Sequence, residues 1–183
     1  MLKDIVDVLA DPVDGSALTG ADDFSRLVSE SGHSYDVAKQ GYVTLASGAG
    51  IAHKGDSAEM VASREAFLSR GHFAPFVETI TERVLDALEG LPLDDVAATP
   101  PTILEVGAGT GYYLSHTLDA VENSRGVGVD IAVPAAKHLA KAHRNIGGVV
   151  ADVWDGLPVR DQSIDVILSL IHISEPTRLL SIS

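Results

Sequence analysis

Ile103-Leu104-Glu105-Val106-Gly107-Ala108-Gly109-Thr110-Gly111 is the stretch on which the fold turns. Its first residues form a short apolar run, too brief for a buried helix, and closely spaced glycines end it, so it reads as a buried strand running into a tight turn. Tyr112 to Val121 follows with helical character. Gly126-Val127-Gly128-Val129-Asp130 is a second strand, ending in an acid. Val133 to His143 is a second helix, with Pro134 early enough to sit in its first turn. Gly148-Val149-Val150-Ala151-Asp152 and Ile164-Asp165-Val166-Ile167-Leu168 supply a third and a fourth strand. Strands alternating with helices predict an α/β fold, a parallel sheet with helices on its faces.

The same stretch carries chemistry. Glycines let the backbone turn sharply and approach a ligand where a Cβ would intrude. Asp130, about twenty residues downstream, is placed to accept hydrogen bonds from ribose hydroxyls. Dinucleotide enzymes share this logic, but their loop reads G-x-G-x-x-G and seats a pyrophosphate on a helix N-terminus. Here an acid precedes the first glycine, which suits a cationic ligand better than a pyrophosphate. The loop resembles motif I of class I S-adenosylmethionine (SAM) dependent methyltransferases. That resemblance implies SAM as cofactor, with Glu105 orienting its amino-acid end and Gly107, Ala108, Gly109, Thr110 and Gly111 forming the cradle. It further implies Asp130 on the ribose and Asp152 on the adenine amino group. The competing readings are a turn that binds nothing and a nicotinamide enzyme.

Composition narrows the class. The chain has 183 residues, no cysteine and a net charge of −13 from 26 acidic and 13 basic side chains. Disulfides, thiolate metal sites and cysteine nucleophiles are excluded. No apolar stretch approaches a membrane span and no signal-like segment opens the chain, so a cytoplasmic protein without membrane contact is expected. An acidic surface repels phosphate, so a nucleic-acid substrate needs a local basic patch.

Upstream of the loop the pattern differs. Residues 1–46 are rich in turn formers, with short strands expected over Phe24 to Ser29 and Gly41 to Leu45, and read as a small β-rich module. Residues 47–100 read as a linker and two helices. The first has Asp56 as N-cap with Glu59 closing a capping box; the second runs from about Pro75 to Leu88 with apolar residues at helical spacing. Residues 101–168 form the nucleotide-binding part, and Gly90 to Pro101 is the expected boundary.

Two long blocks, Gly32-His33-Ser34-Tyr35-Asp36-Val37-Ala38-Lys39-Gln40-Gly41-Tyr42-Val43 and Gly55-Asp56-Ser57-Ala58-Glu59-Met60-Val61-Ala62-Ser63-Arg64-Glu65-Ala66-Phe67-Leu68, resemble the bacterial large-subunit rRNA guanine-N1 methyltransferases. The resemblance runs from about Asp11 to Leu168. It implies an rRNA substrate, a Rossmann-like sheet of which this chain supplies four of seven strands in the order 3-2-1-4, and a SAM contact at Phe73, whose alternative is a core aromatic. It also implies an N-terminal zinc ribbon of three cysteines and a histidine, thought to contact RNA. The matching positions here are Asp11, Asp14, Ser29 and His33, so no metal site is expected. Arg64, His53-Lys54, His116, His138 and His143 read as solvated residues; of Tyr112 and Tyr113, one is expected to cover the cofactor and the other to pack. Alternatives to the rRNA enzyme are a small-molecule methyltransferase, which the acidic balance suits, and a non-catalytic SAM- or nucleotide-binding remnant. Catalytic residues and oligomeric state stay open.

From Ser169 the chain resembles the translation of a sequencing-library adapter, so residues 169–183 are expected to be non-native and His172, Glu175 and Arg178 are excluded as a catalytic set. On this reading the fourth strand would be an open edge, and the fragment unstable and inactive.

Overall fold

The computed structural model describes residues 1–47, 50–51, 53, 55–90 and 100–170. The chain opens with two short 3-10 turns, Leu2–Asp4 and Val6–Val8. The antiparallel strands β1 (Leu18–Ala21), β2 (Arg26–Ser29) and β3 (Ser34–Asp36) follow, then β4 (Tyr42–Thr44). Helices α1 (Ala58–Leu68) and α2 (Ala74–Glu89) precede the alternating part: β5 (Thr102–Val106), α3 (Tyr112–Ala120), β6 (Arg125–Asp130), α4 (Val133–Ala142), β7 (Ile146–Val150) and β8 (Val166–Ser169).

The main sheet is parallel and ordered β4-β7-β6-β5-β8. Its last four strands reproduce the expected 3-2-1-4 order. The fifth corrects the sequence reading: β4 does not belong to the small sheet, because Tyr42, Val43 and Thr44 pair with Gly148, Val149 and Val150 of β7. The boundary of the first module at residue 46 therefore divides a sheet that the backbone joins.

Alternation along the strands explains how both faces are covered. Ile103 of β5 and Ile146 of β7 face α2, α3 and α4, packing with Ile80, Val84, Leu114, Leu118 and Leu139. Leu104, Val106, Val127, Val129 and Val149 point the other way, onto Leu2, Ile5, Val8 and Leu9 from the chain start and Leu18 and Leu27 from the small sheet. The N-terminal residues thus roof one face of the main sheet. A side chain at Gly128 would run into Leu139, so glycine there lets α4 lie close to β6.

Two local readings shift. The strand expected from Phe24 starts at Arg26, because Asp22, Asp23 and Phe24 all hold positive φ (48°, 55° and 61°) and form the turn between β1 and β2. The cap of α1 is Ser57, whose side chain accepts from the Met60 amide; the carboxylate of Asp56 is engaged instead by Arg64 at 2.9 Å. Within the described residues β8 pairs on one side, with β5. No helix among them is long and apolar enough to cross a membrane. The non-native tail expected at residues 169–183 falls, beyond Leu170, outside the described residues.

Candidate functional site

The C-terminal ends of β5, β6 and β7 open into a cleft of about 890 Å³. Its floor is Glu105, Gly107, Ala108, Gly109 and Thr110, with Asp130 and Asp152 at the neighbouring strand ends; Phe73 stands on its wall. Eight of the nine residues singled out from sequence therefore share one crevice. Gly111 does not line it. It holds φ +80° before α3, and a side chain there would meet Leu139 and Ala142, so its role is to let α4 pack against the start of α3.

The loop is anchored from below. The amides of Gly107 and Ala108 both donate to the Val129 carbonyl, at 2.8 and 3.0 Å, and the Gly109 amide donates to Asp130 Oδ2 at 2.8 Å. Asp130 Oδ1 accepts from the Ala132 amide at 2.8 Å. Asp130 therefore ties the loop to the end of β6, and each of its oxygens keeps a lone pair for a further donor. Gly107 and Gly109 hold φ +69° and +55°, a left-handed path that favours glycine.

Glu105 is 2% exposed, and its Oε2 accepts from the Leu114 amide at 3.1 Å. Burial pushes its carboxyl up to about 8; the Leu114 bond opposes this and the negative charge of Asp130 adds to it. A buried acid with one protein donor described is costly to ionise without a cation. Beside it, the hydroxyl of Thr110 is buried with no partner among the described residues. An under-satisfied carboxyl and an orphan hydroxyl at the foot of a glycine loop are the features expected where a polar, cationic ligand completes the hydrogen bonding. The donor set fits SAM.

At the end of β7, Asp152 is buried, and its Oδ2 accepts from His53 Nδ1 at 2.6 Å while Oδ1 accepts from the Trp154 amide at 3.1 Å. The His53 hydrogen bond holds the Asp152 carboxyl below its ordinary value, and Asp152 raises the His53 imidazole. His53 was read from sequence as a solvated loop residue; it instead sits on the carboxylate expected to meet adenine. Lys54 lies outside the described residues. Arg64 also departs from a plain surface arginine: it lines the cleft and its Cδ passes close above Gly109. His143 was read as a solvated surface residue; its side chain is largely buried beside Asp119, 3.5 Å away, and its Nδ1 accepts from the Asn145 amide.

The wall is aromatic. Phe67, Phe73, Phe76, Tyr113 and Tyr112 meet edge to face in sequence, with ring centroids 5.8, 6.5, 5.8 and 5.1 Å apart. His116 extends the run beside Tyr112. Phe67 and Phe76 are about half exposed, and Trp154 is more exposed still on the same rim. Sequence reading marked Phe73 and the tyrosines. Phe67 and Phe76 were missed, although their spacing from Phe73 across the α1–α2 turn was the available signal.

Residues 103–181 match the family model of the methyltransferase domain. Over these residues the chain is similar to a methyltransferase domain. It is 37% identical over 177 residues to a protein of Micromonospora griseorubida described as "Putative 23S rRNA (guanine-N(1)-)-methyltransferase", a match covering 93% of this chain and 60% of that protein. It is 34% identical over 176 residues to the 23S rRNA (guanine(748)-N(1))-methyltransferase of Streptomyces fradiae, covering 96% of this chain and 59% of the relative. A Bacillus subtilis (strain 168) protein of the same description as the first is 27% identical over 163 residues, covering 87% and 54%. The chain thus spans about 60% or less of the length of these relatives. Its cleft gathers eight of the nine residues that the resemblance assigns to SAM.

Proposed function

We propose that the whole protein transfers a methyl group from SAM to N1 of a guanine in large-subunit rRNA. One observation carries the cofactor half: Glu105, the Gly107 to Thr110 loop, Asp130 and Asp152 converge on one cleft, with a buried acid held by one described donor and a hydroxyl with no partner among the described residues at its floor. The substrate half rests on the printed descriptions of the relatives.

When bound, SAM supplies an electrophilic methyl on a sulfonium. The chain's residues do the holding. Glu105 offers a buried negative charge to a cationic amino-acid end, and Thr110 a hydroxyl beside it. Asp130 and Asp152 present carboxylates to ribose and adenine. The aromatic wall excludes water and offers a flat apolar surface to a planar acceptor base. Alignment of acceptor and methyl provides much of the rate gain in such a displacement. The N1 proton of guanine has to leave, so a proton acceptor near the aromatic side of the cleft is required.

Calorimetry with this chain tests cofactor binding. Methyl transfer is tested with the full-length gene product, labelled SAM and rRNA lacking the modification: label on a guanine supports the reading, and SAM binding with no transfer to any rRNA overturns it. The net charge of −13 favours a second reading, a small-molecule acceptor. Label appearing in a small molecule and absent from rRNA would establish that alternative.

A further inference from the structure

The four positions at which the resembled family carries its zinc ligands come together in this chain. Asp11 Oδ2 lies 2.8 Å from His33 Nδ1, and one ligand atom each from Asp11, Asp14 and His33 lie within 4.8 Å of one another. Ser29 Oγ accepts from the His33 amide at 3.0 Å. The four positions thus still meet, although no thiolate stands at any of them. The residues present do not fit structural zinc, which takes four thiolate or imidazole ligands in a closed tetrahedron. A serine hydroxyl is a poor ligand for it. The histidine nitrogen facing the cluster is occupied as well, since the Asp11 carboxylate can only accept and Nδ1 therefore carries the proton between them.

A different bonding scheme fills the place. Asp11 has a fully buried side chain and serves as a hub. Its Oδ1 accepts from the Val13 amide and from the Tyr35 hydroxyl, both at 2.8 Å, and its Oδ2 accepts from His33. Ser29 and Ser31 hydroxyls bond each other at 2.9 Å, and Ser31 approaches His33 Nδ1 at 3.2 Å. Asp14 bonds the Ser16 amide at 2.9 Å and closes the turn. Burial works against ionisation of Asp11, but the bonds from Val13, Ser29, Tyr35 and His33 outweigh it and hold the carboxyl at about 2. Burial and the bond to Asp11 keep the Tyr35 hydroxyl protonated. Charge-assisted bonds of this kind are about twice as strong as neutral ones. The clasp links the loop before β1, the end of β2 and the turn at His33, where the resemblance puts the zinc ligands, and adds the middle of β3 through Tyr35.

We infer that this chain has exchanged the metal staple of its N-terminal module for a metal-free side-chain clasp centred on Asp11. The inference concerns the module alone and does not depend on the reaction catalysed.

The test uses the full chain, produced with zinc in the medium. Elemental analysis is expected to find far less than one zinc per chain, and the melting temperature to be unmoved by 1,10-phenanthroline or by added zinc chloride. Stoichiometric zinc, or a melt lowered by the chelator, overturns the inference. Tyr35→Phe, which removes one bond and little volume, is expected to lower the melting temperature by about 2–4 °C and to speed hydrogen exchange at the Val13 amide. Asp11→Asn is expected to lower it further, and adding Tyr35→Phe to Asp11→Asn to lower it little more, because the two act through one hub. Should Asp11→Asn fail to fold, Tyr35→Phe alone decides: an unchanged melt and unchanged Val13 exchange overturn the clasp.

Discussion

If a cation settles against Glu105, binding has to release a proton at neutral pH. In the free protein burial holds this carboxyl at about 8, so about nine in ten molecules carry it protonated at pH 7. A ligand with an ammonium and a sulfonium favours the ionised form. Ionising it first costs about 1.4 kcal/mol at pH 7, a factor of ten in Kd, and about a hundredfold at pH 6. The Kd for SAM is therefore expected to fall about tenfold for each pH unit from 6 towards 8. Above about 8 the ligand's own amino group loses its charge, so affinity should peak near that pH. Calorimetry in two buffers of different ionisation enthalpy counts the protons: about 0.9 should be released per SAM bound at pH 7. Glu105→Gln keeps the shape and can still accept from the Leu114 amide, yet should bind weakly, release no proton and lack the rising limb. A wild-type affinity flat between pH 6 and 8, with no proton released, would refute the reasoning.

The same carboxyl predicts a stability effect of opposite sense. Its folded value lies above its unfolded value near 4.5, so the stability it allows is complete below that pH and is lost as pH rises towards 8, by up to about 5 kcal/mol; Glu105→Gln should accordingly melt higher than wild type at pH 8. Ile5 is fully buried beneath the sheet beside Gly147, and Ile5→Ala should cost about 2–5 kcal/mol and lower one shared melting transition, where two separate transitions would show independent modules. On the proposed rRNA reading, Phe67→Ala and Phe76→Ala on the cleft wall should raise the KM of the full-length gene product for rRNA by the equivalent of about 1–3 kcal/mol per stacked base while leaving the Kd of SAM, measured calorimetrically, within twofold.

Local pattern carried most of the fold. The run from Ile103 to Gly111 predicted β5, its turn and the start of α3, because a buried strand and a glycine-ended turn are written in adjacent residues. The acids at the ends of β6 and β7 were legible for the same reason. What escaped was long-range. Tyr42 to Thr44 is three residues of strand whose partner, β7, lies about a hundred residues away, and no periodicity can name a partner. His53 meeting Asp152 is a contact of the same kind. The cap of α1 was displaced by one residue because Asp56, a good capping residue in isolation, is claimed by Arg64. Gly111 looked like a cradle residue; its packing against α4 emerges only once two helices are seen side by side.

The placement of β4 beside β7 sets the order in which this protein can be built. During synthesis the first strand of the main sheet leaves the ribosome about a hundred residues ahead of the only neighbour it has in that sheet among the described residues, a wait of about 5–20 s at ordinary elongation rates. Throughout that interval the edge of Tyr42, Val43 and Thr44 that β7 will pair stays open to solvent, and Leu2, Ile5 and Leu9 lack the β-strand surface they will roof. The main sheet is thus expected to close at β4 only once Val150 has emerged.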